Sequence, residues 1–132
     1  MRDLVEGVDA RLTEAEVVDR TTGLMNRREL ERRIENRRLC GDPVVQLRFE
    51  ISFEGPETAK PQVLKQVASR LTAQLRPEDL IARWSDSEFI ILFNGTEEIA
   101  ERRGPQVAGL LTGRYSLTDG VVEVRANSTL LK

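Results

Sequence analysis

Phe89-Ile90-Ile91-Leu92-Phe93 places five apolar side chains in succession. Successive side chains of a strand point to opposite faces, so such a run must be covered on both sides of whatever sheet contains it. A second stretch narrows the choice. Val45, Leu47, Phe49, Ile51 and Phe53 alternate with Gln46, Arg48, Glu50 and Ser52, the period of a strand with one buried face. A chain carrying both strands needs a sheet with helices packed against it.

The remaining segments supply those helices. Leu4 or Val5, Val8, Leu12, Ala15 and Val18 recur at helical spacing over residues 2 to 18 and form a narrow apolar stripe suited to a partner helix. Asn26 then opens a second helix, to about residue 38, with Glu29 as reciprocal cap and Met25 and Leu30 spaced for a hydrophobic staple. Pro61 suits the first turn of a third helix built on Val63, Leu64, Val67, Ala68, Leu71 and Leu75, which Pro77 stops. Residues 96 to 112 read as a fourth helix that Gly104-Pro105 should kink or divide, and Val122, Val124 and Ala126 mark a last strand. With strands near 79–84 and 88–93, the order after two N-terminal helices is β-α-β-β-α-β. This predicts an α+β fold, a ferredoxin-like or palm-type antiparallel sheet with packed helices. Its usual winding puts the first and third strands side by side at the centre, bringing Glu50 and Ser52 near the turn at 85–88.

The length of 132 residues suits one compact domain, divided here into a linker helix (1–18) and a domain proper (19–132). No apolar run approaches the roughly 20 residues that cross a bilayer, and a cytoplasmic protein is expected. A net charge of −2 provides no global attraction to nucleic acid or anionic lipid. The helix from residue 27 carries Arg27, Arg28, Arg32, Arg33, Arg37 and Arg38, but Glu29, Glu31 and Glu35 interleave and no aromatic residue stands ready to stack a base, so it reads as a solvated face. The single Cys40 excludes an internal disulfide, and without histidine any chemistry rests on carboxylates, hydroxyls and arginines.

Three stretches coincide with one family. Asp19-Arg-Thr-Thr-Gly-Leu-Met-Asn-Arg-Arg-Glu-Leu30 resembles the entry signature of GGDEF domains, the bacterial diguanylate cyclases, with Thr21 in place of a leucine. "RPEDLIARWSDSEFIILF" (76–93) resembles their Arg-x-x-Asp, Ala-Arg-aromatic and Gly-Gly-Asp/Glu-Glu-Phe hairpin, and "VLKQVASRL" (63–71) resembles the helix before it. The similarity spans about residues 19 to 128. It implies a signalling domain that joins two GTP molecules into cyclic di-GMP with the help of divalent metal.

The departures point the other way. Ser85, Asp86 and Ser87 stand where the resemblance implies two glycines that admit the triphosphate and a metal-binding carboxylate; Glu88 and Phe89 match the last two letters. Glu50 aligns with a metal-binding Asp and Ser52 with a second acidic position. "FEGPETAKPQVL" has no counterpart to the guanine- and phosphate-holding elements that follow. The hairpin therefore reads as vestigial (Ser85, Asp86, Ser87, Glu88, Phe89), a solvated turn in which Asp86 tolerates a left-handed conformation, with Glu50 a vestigial ligand and no cofactor expected.

Arg76 and Asp79 occupy the family's inhibitory Arg-x-x-Asp, where the resemblance implies cyclic di-GMP binding, with Arg83 as an added cation. A guanidinium reads guanine O6 and N7, and a carboxylate accepts from the ring N–H edge. The plain alternative is a cation at a helix C-terminus followed by Pro-Glu-Asp turn chemistry. The expected function is a catalytically inactive signalling domain, an interaction module or cyclic di-GMP receptor, with a homodimer or sensor partner on the N-terminal helix. The alternatives are an active cyclase using Mg²⁺ on Glu50 and Glu88, and a ligand-free dimerisation domain.

Overall fold

The computed structural model describes residues 17–131, so the stripe at 2–18 and the linker role given to it lie almost wholly outside the described residues. β1 (Met25–Asn26) leads directly into α1 (Arg27–Leu39). Asn26 caps this helix as expected, its Oδ1 accepting from the Glu29 N–H at 2.9 Å. The Glu29 carboxylate is committed to Arg32 and Arg33, at 2.6 and 2.8 Å. The helix ends in a Schellman motif: the Asp42 N–H donates to the Arg37 carbonyl and the Gly41 N–H to that of Arg38. Gly41 has φ +77°, which the absence of a Cβ permits.

β2 (Val45–Glu54) follows, then a single 3₁₀ turn (Glu57–Ala59) and α2 (Lys60–Ala73), with proline in its first turn. β3 (Leu80–Arg83) and β4 (Glu88–Phe93) form the hairpin, α3 (Glu97–Leu111) crosses back, and β5 (Gly113–Leu117) and β6 (Gly120–Leu131) close the chain. The sheet order is β1-β3-β4-β2-β6-β5, antiparallel except for the short β1–β3 contact. The expected α+β sheet is present, with β2 and β4 side by side at its centre.

Both faces of β4 are covered, as its sequence demands. Phe89, Ile91 and Phe93 pack with β2, α2 and α3 in the larger core, while Ile90 and Leu92 meet Leu30 and Ile34 of α1 and Ala82 of β3 in a second one. Met25 packs against this second core beside Leu30, the expected staple. Fully burying each such side chain contributes ~1.5–3 kcal/mol. On β2 and β6 the side opposite the larger core carries Arg48, Glu50, Ser52, Arg125 and Asn127, with Leu131 at the end of β6 reaching the second core.

Two expectations need correction. Of the two outcomes expected at Gly104-Pro105, division does not occur: α3 runs as one helix with Pro105 inside it. A Cβ at Gly104 would lie 3.0 Å from Ser128 Oγ and 3.2 Å from Leu47 Cδ2, so the glycine lets the helix lie close on β2 and β6, and packing overrides the local signal. The last strand is also not single: β5 and β6 form a hairpin closed by Thr118-Asp119, with Leu117 paired to Gly120.

Candidate functional site

The Ser85–Ser87 turn sits at the end of β2. Its position follows from register: Glu50 pairs with Glu88 across β2 and β4, and the Ile51 N–H donates to the Ser87 carbonyl at 2.8 Å. This is the proximity expected from the topology. The turn itself differs from expectation, because no non-glycine residue among those described has positive φ, Asp86 included. The N–H groups of Trp84 and Ser85 both donate to the Glu88 carbonyl, at 2.8 and 3.3 Å, giving a loop of three residues. That width removes the need for the left-handed pair of a two-residue turn.

Every acidic side chain around this tip faces a basic one. Asp86 bonds Lys60, which also lies 3.5 Å from Glu57. Lys60 holds the Asp86 carboxyl below the usual carboxylate range, and Asp86 in turn raises Lys60. The Arg83 guanidinium donates to the Ser85 and Asp86 carbonyls, at 3.2 and 3.3 Å, and to Asp19 at 3.3 Å. Asp19 also accepts from the Thr22 N–H and hydroxyl, which folds the 19–24 loop against the hairpin. The Ser85 hydroxyl donates to Glu88 Oε1 at 2.7 Å, and Arg48 lies 3.3 Å from Glu50 and 3.5 Å from Glu88.

A divalent cation of the kind the resemblance implies does not fit this donor set. Mg²⁺ takes six oxygens, with one or two carboxylates free to anchor it and water or phosphate completing the shell. Ser87 supplies a hydroxyl, Ser52 likewise, and the two carboxylates at hand already face Arg48. Among the described residues no cluster of three acidic or other ligating side chains could hold a metal ion.

Arg76 and Asp79 are held together through the Arg76 backbone, but Arg83 stands apart from them. Asp79 precedes β3 and Arg83 ends it, about 13 Å apart at the rise of a strand, with Arg83 turned to the tip. Asp79 is 8% exposed, and its carboxylate accepts from the backbone N–H groups of Arg76 (3.0 Å) and Asn94 (2.8 Å). Arg76 itself is exposed. At the α2 C-terminus, where Arg70 stands in the last turn, Arg103 donates to the Gln74 carbonyl at 2.7 Å.

Sequence reasoning missed Lys60, Arg48 and Asp19 as members of this cluster. Arg48 was within reach, since two residues from Glu50 on a strand is the same face; Lys60 and Asp19 carry no local signal. In the arginine-rich helix Arg32 and Arg33 meet Glu29, and Arg27 lies 3.7 Å from Glu31 and over the Trp84 ring at 4.4 Å. No helix among the described residues is long and apolar enough to cross a membrane.

Comparison with known proteins adds the following. The family model described as "Diguanylate cyclase, GGDEF domain" matches residues 59–114. The response regulator PleD of Caulobacter vibrioides is 32% identical over 111 residues, 73% of this chain and 24% of PleD, so the chain spans about a quarter of that relative. The diguanylate cyclase SiaD of Pseudomonas aeruginosa, solved with its activator SiaC, superposes with a TM-score of 0.74 at 23% identity, over 98% of this chain and 54% of SiaD. The GGDEF domain of DgcB from Caulobacter crescentus, solved with c-di-GMP, gives 0.62 at 15% identity, over 88% and 78%.

Proposed function

This chain belongs to the GGDEF family of diguanylate cyclase-like domains, and from that premise we propose that it is a catalytically silent member, an interaction module of cyclic di-GMP signalling. The observation that carries this is the tip. Joining two GTP molecules needs a metal-held carboxylate beside an open cradle for the phosphates, so that charge developing on the α-phosphate is neutralised. Here Ser87 replaces the carboxylate, Ser85 and Asp86 put side chains where the cradle would be, and Lys60, Arg83 and Arg48 pair with the acids that remain. A triphosphate approaching Asp86 meets a negative charge already bound to its own lysine.

Incubation with GTP and either Mg²⁺ or Mn²⁺, followed by separation of nucleotides, is expected to give no cyclic di-GMP. Product that disappears in Glu50→Ala would establish the active-cyclase alternative instead. Of the two silent roles, interaction module and cyclic di-GMP receptor, the module has the better geometric support, because the Asp79 carboxylate is buried and each of its oxygens already accepts from a backbone N–H group, which turns it toward the fold and away from a guanine at Arg76. Titration calorimetry with cyclic di-GMP separates them: heat that vanishes in Arg76→Ala assigns the receptor role.

A further inference from the structure

Resting on the silent-domain reading, we propose that the Arg48 guanidinium is itself the cation of the tip, held between Glu50 and Glu88 in the position a divalent ion would need. Glu50 and Glu88 are direct cross-strand partners, so their side chains project from the same face of the sheet. Like charges directly opposite one another are destabilising, and a cation between them offsets the repulsion. Arg48 shares this face because it lies two residues from Glu50 on β2. Its Nη2 is 3.3 Å from Glu50 Oε1, and its Nε is 3.5 Å from Glu88 Oε2.

The other cations at the tip are assigned elsewhere. Lys60 serves Asp86 and Glu57, and Arg83 serves Asp86 and Asp19. Glu88 is approached from both sides, by the Ser85 hydroxyl on Oε1 and by Arg48 on Oε2. The Arg48 Nε is buried and makes no hydrogen bond among the described residues, since 3.5 Å to Glu88 exceeds bonding distance. The guanidinium is therefore placed by the charge of both acids together, and not by a bidentate bond to either. It offers no lone pair to a metal, and its fixed charge repels one. Arg48 thus closes the site to divalent cations.

Titration of the chain with MnCl₂, with free Mn²⁺ followed by electron paramagnetic resonance, tests this. Wild type is expected to show no Mn²⁺ site that depends on Glu50. Arg48→Met should gain one bound Mn²⁺ with an affinity at least about tenfold higher, a difference of ~1.4 kcal/mol, and Arg48→Met/Glu50→Gln should lose it. Arg48→Lys, which keeps the charge, should behave as wild type. If Arg48→Met does not fold by circular dichroism, Arg48→Gln takes its place. Wild-type Mn²⁺ binding that Glu50→Gln abolishes, or no gain in the folded charge-removing variant, overturns the proposal. GTP turnover by wild type would overturn the silent-domain reading while the Mn²⁺ titration still judged Arg48, so the two fail separately.

Discussion

Asp79→Ala distinguishes a carboxylate that holds the fold from one that waits for a guanine. Asp79 joins the turn before β3 to the loop after β4, accepting from the Arg76 N–H at 3.0 Å and the Asn94 N–H at 2.8 Å. Removing it leaves two backbone donors without their acceptor, and a buried unsatisfied donor costs ~1–3 kcal/mol. Residues 76 and 94 are both exposed, so water recovers part of the loss, and a total of about 3 kcal/mol is expected. For a domain of this length each ~1 kcal/mol moves the melting temperature by about 3–4 °C. Asp79→Ala should therefore melt about 10 °C below wild type with no nucleotide present. Asp79→Asn keeps one acceptor oxygen and should lose about half as much. Melting followed by far-UV circular dichroism reads both. A fall of less than about 2 °C in Asp79→Ala would show that the carboxylate does not secure this corner, and the guanine-reading role would become the better assignment.

Glu29 sets a pH dependence. Hydrogen bonds from Arg32 and then Arg33 lower its carboxyl from 4.5 to about 2. The folded state thus holds this proton more weakly than the unfolded chain, so its stabilisation is full above pH 4.5 and fades as pH falls toward 2. With both arginines exposed the contribution is about 1 kcal/mol after screening. The difference in melting temperature between wild type and Glu29→Gln should be largest near neutrality and close as pH falls through that window. Tyr115→Phe should cost about 1 kcal/mol, read by urea denaturation, because the buried hydroxyl donates to the Leu111 carbonyl at the end of α3; an unchanged midpoint would refute that bond.

Much of this protein can be read locally. The alternation of β2 and the unbroken apolar run of β4 specify one half-covered and one fully covered strand, because side-chain period and burial are properties of a few consecutive residues. The Asn26 cap and the Schellman stop at Gly41 are likewise short-range. The last hairpin escaped notice because Gly113–Leu117 has a weak apolar pattern and is recognisable mainly by its pairing with β6. Gly104-Pro105 is the opposite case: the local signal for division is real, yet α3 continues through it with Gly104 close against Ser128 and Leu47.

The site divides in the same way. Sequence alone shows Ser85-Asp86-Ser87 where the family resemblance implies two glycines and a carboxylate, and an alternation that puts Arg48 and Glu50 on one face. It did not establish that Asp79 is consumed by the backbone, that Arg83 turns away from it, or that Lys60 reaches Asp86, since each depends on residues 15 to 64 positions apart. Whether an acid is a ligand or half of an ion pair depends on which charge the register sets opposite it, and register is decided by the packing of the whole sheet.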